Sequence, residues 1–338
     1  MQIGVIGAGA IGGTLAALLH RNGHELVIAS RRDTANEMEL ILHGAFGEYR
    51  ATVECMPQLP GEVDVVVCAT KVGDLGEALR TNRGGSLGSP ILCVQNGVRG
   101  PEIARDALGP RARLLHGLAS FAARADAPGE VTVTGGSGLV IGASEGTRGS
   151  LAEAVAGLFP PELCCSVTDD IASAMWSKLL VNQLNALPAI TDLPMQDLYA
   201  ADDMARITAQ AMVEVYELGC ALGHSFPSIP LFTDAARASL EAARTSSAAV
   251  MPSLVTDMVS TFGEVPNLGS TLQSLRRGVA SENVALGHDP VQLAQDAGLM
   301  LPVVAHLATL VDARERERRA PLRLDEVRGE FAEWCAAS

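Results

Sequence analysis

The stretch GVIGAGAIGG, residues 4–13, carries five glycines in ten positions close to the start of the chain. It follows a strand-like run at residues 2–6 and opens a helical pattern at residues 11–21. Within it, residues 7–12 fit G-x-G-x-x-G, whose glycines allow a tight turn, close approach to a pyrophosphate and close helix–strand packing. Backbone N–H groups at the helix start would face the phosphates. The stretch therefore predicts a dinucleotide-binding loop made by Gly7, Ala8, Gly9, Ala10, Ile11 and Gly12.

The alternation of strand and helix patterns continues through the first half of the chain, which indicates a parallel sheet covered on both faces. Strands are predicted at residues 2–6, 25–29, 49–55, 64–69 and 91–94, then at 114–120, 130–134 and 139–142, with a turn at Ala127-Pro128-Gly129 and a tight turn at Gly135-Gly136. After about Val167 the pattern is helical, at 170–187, 204–222 and 272–286. The predicted fold class is α/β, with a Rossmann-like dinucleotide-binding domain at 1–168 followed by an all-α domain at 169–338.

The composition is that of a globular chain with room for two cores, since its 338 residues are 48% hydrophobic and 19% charged. A formal net charge of -14 argues against nucleic acid as a partner, because phosphate binding needs a basic face. No apolar run reaches membrane-spanning length, and the first residues lack the basic leader of a signal peptide. The seven cysteines include no C-x-x-C pair, so we expect no metal site and a cytoplasmic protein in a reducing compartment.

The end of the second predicted strand bears on the choice of cofactor. An NAD site usually has an acidic residue there, which accepts a hydrogen bond from the ribose 2'-hydroxyl. Here the strand ends in Ser30-Arg31-Arg32, and Asp33 comes later. A hydroxyl and two guanidinium groups suit a 2'-phosphate, so the sequence favours NADP(H) over NAD(H), with a solvated basic loop as the alternative.

Polar residues also follow two further predicted strands. Lys71 comes after the strand at 64–69, and Asn96 comes after the strand at 91–94. In an open α/β sheet, ligands bind outside the carboxyl ends of the strands, so both side chains are expected beside the glycine loop. Each signal is weak alone, because Asn-Gly is also an ordinary turn.

The helical half contains one polar stripe in an otherwise apolar helix. Lys178, Asn182 and Asn185 recur at i, i+4 and i+7, which places them on one face. A buried lysine needs a partner, and burial lowers its pKa towards values that are useful for proton transfer. A stripe that faces solvent is the alternative interpretation.

Glu282 is a second charged residue in apolar surroundings. It lies three residues after Val279 and four before Leu286, on the apolar face of the predicted helix. A carboxylate there has to pair with something, and Lys178 or a bound polar substrate are the candidates. An acid at the edge of that face, in reach of water, explains the pattern equally well.

These residues together resemble the ketopantoate reductase (2-dehydropantoate 2-reductase) family. The resemblance rests on the glycine loop, Ala69-Thr70-Lys71, Gln95-Asn96-Gly97, the block from Met175 to Asn182, and the segment 270–282. It implies an oxidoreductase that uses NADPH to reduce a 2-oxo acid to a 2-hydroxy acid. Within the family this reaction converts 2-dehydropantoate to pantoate in pantothenate biosynthesis.

The resemblance also implies roles for single residues. Lys178 would be the general acid that protonates the substrate oxygen as hydride reaches the carbon, and Glu282 would orient the product hydroxyl. The residues implied to bind substrate are Asn96, Asn182, Asn185 and Ser270, the last at the carboxylate. Those implied to contact the cofactor are Ser30, Arg31, Lys71, Asn96 and Glu282, with Arg31 at the 2'-phosphate.

The second half departs from the family pattern in three places. Members usually have an aspartate two residues after the glutamate and Asn-Gly at the fifth and sixth positions, but here Val284 and Gly287 stand at the second and fifth. The segment after Asn182 is one residue short, and the chain is longer than usual between about Glu214 and Ser270. Hydride transfer is therefore better supported than ketopantoate specificity.

Four functions stay open on the sequence, the last of them a glycerol-phosphate or 3-hydroxyacid dehydrogenase with the same two-domain plan. One is the family reaction, and a second is a paralogue that reduces a different ketone or oxidises a hydroxy acid. The third is an NADP-sensing binding protein without turnover. Intact Lys178 and Glu282 argue against a sensor, which has no need of a buried ammonium and carboxylate. The apolar helices of the second half could form a homodimer interface.

Overall fold

The computed structural model describes residues 1–30, 36–86, 88–245, 252–263 and 265–332. The chain divides into two compact units, Met1–Ala172 and Ser173–Ser338. Within the described residues, the first unit holds a nine-stranded sheet and the second unit is helical. The predicted fold class, a Rossmann-like α/β domain followed by an all-α domain, is confirmed.

The first unit is built on a mostly parallel sheet. Its strands are β1 (Gln2–Ile6), β2 (Glu25–Ala29), β3 (Glu37–Gly44), β4 (Tyr49–Met56), β5 (Val65–Cys68), β6 (Ile91–Cys93), β7 (Leu114–Ala127), β8 (Glu130–Ala143) and β9 (Cys165–Thr168). Their spatial order is β3-β4-β2-β1-β5-β6-β7-β8-β9, and β3 also pairs with β8. The neighbours β2, β1, β5, β6 and β7 are all parallel, as expected of a dinucleotide-binding sheet.

Helices cover both faces of this sheet. They are α1 (Ala10–Arg21), α2 (Val72–Thr81), α3 (Arg83–Ser86), α4 (Gly100–Leu108) and α5 (Gly149–Ala156), with a 3-10 turn at Pro161–Leu163. On β5, Val67 packs in the core with Leu15 of α1, whereas Val66 packs in the opposite core with Leu75 of α2. Because consecutive residues of the strand are buried on opposite faces, the central strands read as unbroken apolar runs.

Three features of the sheet differ from the prediction. The strands β3 and β9 are not predicted, although the residues of β3 alternate between exposed and buried. The predicted turn at Gly135-Gly136 is wrong, because both glycines lie inside the continuous strand β8. Gly136 has a φ of 78°, and the register of β8 against β7 shifts beside it, so these glycines mark a bulge rather than a chain reversal. The reversal lies at the other predicted turn, Ala127-Pro128-Gly129, which is confirmed, and Gly129 there also has a φ of 78°.

The second unit is a set of packed helices. They are α6 (Ile171–Asn182), which begins just before the boundary, α7 (Ala186–Thr191), α8 (Met195–Leu198), α9 (Asp202–Ala221), α10 (Asp234–Thr245), α11 (Ser253–Ser260), α12 (Gly269–Arg276), α13 (Asp289–Asp296), α14 (Pro302–Glu315) and α15 (Leu324–Glu330). The long helix α9 is almost entirely buried on one side and contacts α11, α14 and α10. The apolar pattern at 204–222 predicted this helix correctly.

Two helical segments of the second unit depart from α geometry. The chain tightens to a 3-10 helix at Gln183–Asn185, between α6 and α7, and widens to a π-helix at Val284–His288. The predicted helix at 272–286 is therefore wrong in its second half, since α12 ends at Arg276. Gly278, with a φ of 65°, ends that helix, because a residue in the left-handed backbone conformation cannot continue a right-handed α-helix.

Candidate active site

The glycine loop joins β1 to α1, and its three motif glycines have different surroundings. Gly7 has a φ of 89°, and a Cβ there would lie 2.8 Å from the backbone N of Thr70. A Cβ on Gly12 would lie 2.0 Å from the carbonyl O of Gly7, which leaves no room for any side chain. No atom of the described residues lies within 4 Å of the Cβ position at Gly9. The outer glycines thus permit the fold, whereas Gly9 keeps space open beside the backbone.

The start of α1 fits an anionic ligand. Gly9 is the N-cap, and among the described residues no side-chain hydrogen bond caps the helix and no acidic residue lies in its first turn. The N–H groups of a first turn carry partial positive charge, which phosphate oxygens neutralise. Together with the open space at Gly9, this arrangement fits the pyrophosphate of a dinucleotide.

The other predicted residues of the first unit follow strands at the same edge. β1 lies between β2 and β5, which makes this edge the switch point where ligands of such sheets bind. Lys71 directly precedes α2, and Asn96 follows β6. Gln95 donates from Nε2 to the carbonyls of Cys68 at 2.8 Å and Thr70 at 3.1 Å, which ties the end of β6 to the end of β5. No local pattern in the sequence indicates this bracing role of Gln95.

The structure describes only part of the segment after β2, where the sequence predicts contact with the 2'-phosphate of NADP. Ser30 follows β2, and its backbone N–H donates to the carbonyl of Met56 at 2.9 Å, which fixes the strand end against β4. Arg31 and Arg32 lie outside the described residues. Their role at a 2'-phosphate stays a prediction.

Lys178 lies on α6, and its ammonium group has an unusual environment. The side chain is half-buried, and burial lowers its pKa from 10.5 to about 8. Desolvation has this effect because it disfavours the charged form of an amine. The neighbouring residue Ser177 fixes the helix, since its Oγ donates to the carbonyl of Pro227 at 2.8 Å. A group that releases its proton near neutral pH, on a braced helix, is suited to general acid–base work.

The small number of lysines in the chain also supports an acid–base role for Lys178. The sequence contains only two lysines, Lys71 and Lys178, beside 23 arginines. Arginine keeps its proton in proteins, whereas a buried lysine can lose it. A chain that uses arginine almost everywhere else retains lysine at two predicted site positions, one of which has a pKa suited to proton transfer.

The polar residues near Lys178 on the chain are buried and bonded to backbone groups. Asn182 and Asn185 are 6% and 8% exposed. Asn185 donates from Nδ2 to the carbonyl of Asn182 at 3.0 Å and accepts from the backbone N–H of Ser270 at 2.9 Å. The structure thus brings together three of the predicted substrate residues. These bonds give Asn185 the task of holding the start of α12, and they leave the exposed side chain of Ser270 at that helix start.

Glu282 lies in the bend between α12 and the π-helix, so its predicted place inside a helix is wrong. The side chain is half-buried. The low pKa of Lys178 arises from burial, without a contribution from Glu282. The pairing of these two side chains through a bound substrate stays a prediction.

The positions that depart from the family pattern have clear surroundings. Val284 is 52% exposed on the π-helix. A Cβ on Gly287 would lie 2.7 Å from the Cβ of Ala308, so α14 leaves no room for an asparagine there. A cavity of about 20 Å³ lies beside Gly287, lined by Asn182, Asn185 and Asn283 among others. That volume suits one water molecule.

The described part of the chain offers no cluster of metal ligands and no membrane-spanning helix. It contains no group of three or more His, Cys, Asp or Glu residues that could hold a metal ion. None of its helices is both long enough and apolar enough to span a bilayer.

Comparison of the sequence with known families gives two matches that together cover most of the chain. Residues 3–146 match the family model described as ketopantoate reductase PanE/ApbA, and residues 170–315 match that of its C-terminal domain. The 2-dehydropantoate 2-reductase of Pyrococcus abyssi is 26% identical over 323 residues, which are 93% of this chain and 98% of the relative.

Two solved structures show the same fold over nearly the whole chain. A ketopantoate reductase from Ralstonia eutropha has a TM-score of 0.75 and 23% identity, with 95% of this chain and all of the other covered. The D-mandelate dehydrogenase whose structure contains NADH and anilino(oxo)acetate has a TM-score of 0.79 and 19% identity, with 94% and 99% covered. At these identities the two structures are similar in fold.

Proposed function

Because this chain belongs to the ketopantoate reductase family and is an oxidoreductase, we propose that it reduces a 2-oxo acid to a 2-hydroxy acid with NADPH. The first candidate reaction is the conversion of 2-dehydropantoate to pantoate. The observation that carries the proposal is Lys178, an ammonium whose pKa burial lowers to about 8. Family membership supports a nicotinamide dinucleotide as cofactor, and NADP in particular is part of the proposal.

The proposed role of Lys178 follows from the charge that develops during reduction. Bound NADPH would supply the hydride. As the ketone carbon accepts it, negative charge grows on the oxygen, and a desolvated ammonium stabilises that charge strongly. Lys178 would then transfer its proton to the oxygen, which a pKa of about 8 permits at neutral pH. Glu282, Asn96, Asn182 and Ser270 are proposed to orient the substrate.

The choice of NADPH rests on the tip of β2. The sequence Ser30-Arg31-Arg32 places no acid where NAD enzymes carry one, and it supplies two guanidinium groups. Replacing Arg31 with alanine is expected to raise KM for NADPH about tenfold or more, with little change for NADH, because one charged hydrogen bond is lost. Equal effects on both cofactors would contradict the assignment.

A second candidate function is reduction of a different ketone, or oxidation of a hydroxy acid, by the same residues. The observation that favours it is Gly287, where α14 closes the position at which family members usually carry asparagine. The exposed Val284 also replaces the usual aspartate. Both changes lie in the unit that carries Lys178, and the glycine loop lies in the other unit. We therefore propose that they change which substrate is accepted and leave cofactor binding unchanged.

The test is NADPH oxidation by the purified protein with a panel of 2-oxo acids that includes 2-dehydropantoate, alongside Lys178→Ala. We expect one panel member to be reduced and kcat to fall by about 10²- to 10⁴-fold in the variant, the usual contribution of a general acid. Reduction of 2-dehydropantoate would support the first candidate, and reduction of another member alone would support the second. Tight NADPH binding with no turnover of any member would instead support a binding protein.

Two further expectations from the sequence belong to this proposal. We propose that the protein acts in the cytoplasm, as its cysteine pattern suggests. We also propose that it forms a homodimer through helices of the second unit. Light scattering with size-exclusion chromatography tests the dimer directly, and a mass of one chain would contradict it.

A further inference from the structure

The residue before Glu282 is bonded to the last turn of α14. The backbone N–H of Ser281 donates to Oε1 of Glu315 at 3.0 Å, and the hydroxyl of Ser281 donates to Oε2 of the same carboxylate. One carboxylate therefore binds Ser281 through two separate donors. Such a two-point contact fixes both the position and the orientation of the backbone at residue 281.

The residue after Glu282 is bonded to α14 one turn earlier. Nδ2 of Asn283 donates to Oδ1 of Asp312 at 2.8 Å and to the carbonyl of Ala308 at 2.9 Å. Asn283 is only 8% exposed, so these bonds are sheltered from competition with water. Asp312 also faces His288 at 3.1 Å and Arg316 at 3.5 Å, and the arginine offsets its negative charge.

Two more bonds close the segment around Glu282. The hydroxyl of Ser281 accepts a hydrogen bond from the backbone N–H of Asn283 at 3.2 Å. The carbonyl of Glu282 itself accepts from the N–H of Leu286 at 3.0 Å. The backbone of Glu282 is therefore held on both sides, while its half-buried side chain belongs to neither contact with α14.

We propose that Asp312 and Glu315 are positioning residues, which hold Glu282 in the geometry that the reaction needs. The inference rests on the proposed function, because it assumes that Glu282 orients the substrate. It explains how the backbone around Glu282 is held although Val284 and Gly287, which follow the glutamate, make no polar side-chain contacts. Neither of these residues can offer a polar side chain, so the segment takes its polar anchors from a helix about thirty residues further along the chain.

The experiment compares Glu315→Gln and Asp312→Asn with wild type, each also in a Glu282→Gln background. Glu330→Gln is the matched control, because it makes the same change at the carboxylate that contacts His306 on the same helix α14. If Glu315→Gln does not fold, Ser281→Ala removes the hydroxyl's bond to Glu315 without altering α14, and the backbone N–H bond remains. The measurements are kcat and KM for the 2-oxo acid, the Kd of NADPH, and the melting temperature.

We expect Glu315→Gln and Asp312→Asn each to lower kcat about tenfold, because small displacements of an orienting group have effects of this size or larger. The Kd of NADPH should change no more than it does in Glu282→Gln, since these residues are proposed to act only through Glu282. In the Glu282→Gln background the further loss should shrink to less than about twofold, because residues that act through one another are not additive. The control should match wild type.

Equal losses in both backgrounds would overturn the inference while leaving the proposed function in place. A loss of kcat that the control shares, or one that follows the melting temperature across all variants, would overturn it in the same way. If the wild-type protein reduces none of the 2-oxo acids, the proposed function fails first, and the positioning role fails with it.

Discussion

The glycine loop and the segment Ser281–Asn283 fix their backbones by opposite means. In the loop, the conformation of residues 7–12 depends on the backbone alone, and a missing Cβ at Gly12 is what lets α1 approach β1. In the segment, side chains of a helix about thirty residues away fix the backbone on both sides of Glu282. A site made by local backbone geometry leaves a sequence motif, whereas a site made by distant side chains does not.

The largest expected effect comes from filling the loop at Gly12. Gly12→Ala should destabilise the protein by about 3 kcal/mol or more, because a Cβ at 2.0 Å from the carbonyl O of Gly7 forces the backbone to move. Gly9→Ala is the matched control, since its Cβ meets open space. The control should keep its stability within about 0.5 kcal/mol and lose about tenfold in NADPH affinity. Urea unfolding and a fluorescence titration measure the two quantities, and equal destabilisation by both changes would contradict this account.

The next effect tests how α14 itself is held. Glu214 of α9 is 6% exposed and accepts the N–H groups of Val303 and Val304, each at 3.0 Å, at the start of α14. Glu214→Gln should cost about 2 kcal/mol, because an amide NH₂ would face a buried N–H group. Glu217→Gln, an exposed change on the same helix, should cost little. Thermal and urea unfolding give both values, and similar losses would argue against the capping role.

The pH dependence of this effect has a definite sign. Burial, with a smaller effect of Glu217, raises the pKa of Glu214 from 4.5 to about 7. A raised pKa means that the folded state binds the proton more tightly, so this contribution to stability is complete below pH 4.5 and lost as the pH rises through about 7. The stability difference between wild type and Glu214→Gln should therefore shrink between about pH 5 and about pH 8. A constant difference would contradict the assigned pKa.

A smaller effect separates the chemistry of Lys178 from its surroundings. If Lys178 is the general acid, kcat for reduction should be level below about pH 8 and fall about tenfold per unit above it, as the ammonium loses its proton. Because the chain has only two lysines, isotope-labelled lysine gives two signals by NMR, and Lys178→Ala identifies the one to titrate. A kinetic pKa that differs clearly from the NMR value would assign the profile to another group.

The smallest effect is a gain in stability. Folding lowers the pKa of Lys178 from 10.5 to about 8, so the unfolded chain binds more protons between these values and stability should rise with pH across that window. At neutral pH the buried charge is a cost, and Lys178→Met should stabilise the protein by about 1 kcal/mol. Lys71→Met, at the other lysine, is the control. If both changes stabilise the protein equally, the gain comes from removing a positive charge in general and not from the burial of Lys178.

The accuracy of the sequence predictions varies along the chain for physical reasons. The strand–loop–helix at residues 2–21 could be predicted because its glycines act on their own backbone and on the next helix. Lys178 could be singled out because helical spacing places polar groups on one face of an apolar helix. The turn assigned to Gly135-Gly136 failed because two glycines mark a bulge as readily as a reversal, and only the pairing of β7 with β8 distinguishes them.

The sequence by itself therefore determined the fold class and the strand–loop–helix at residues 2–21, since these depend on residues close together in the chain. The tertiary structure alone decided what surrounds Glu282 and why Gly287 has no side chain. Asp312, Glu315 and Ala308 reach that segment only after α14 packs against it. No local sequence pattern predicts such contacts. The contacting residues are about thirty positions apart with no fixed spacing, and only the packing of whole helices brings them together.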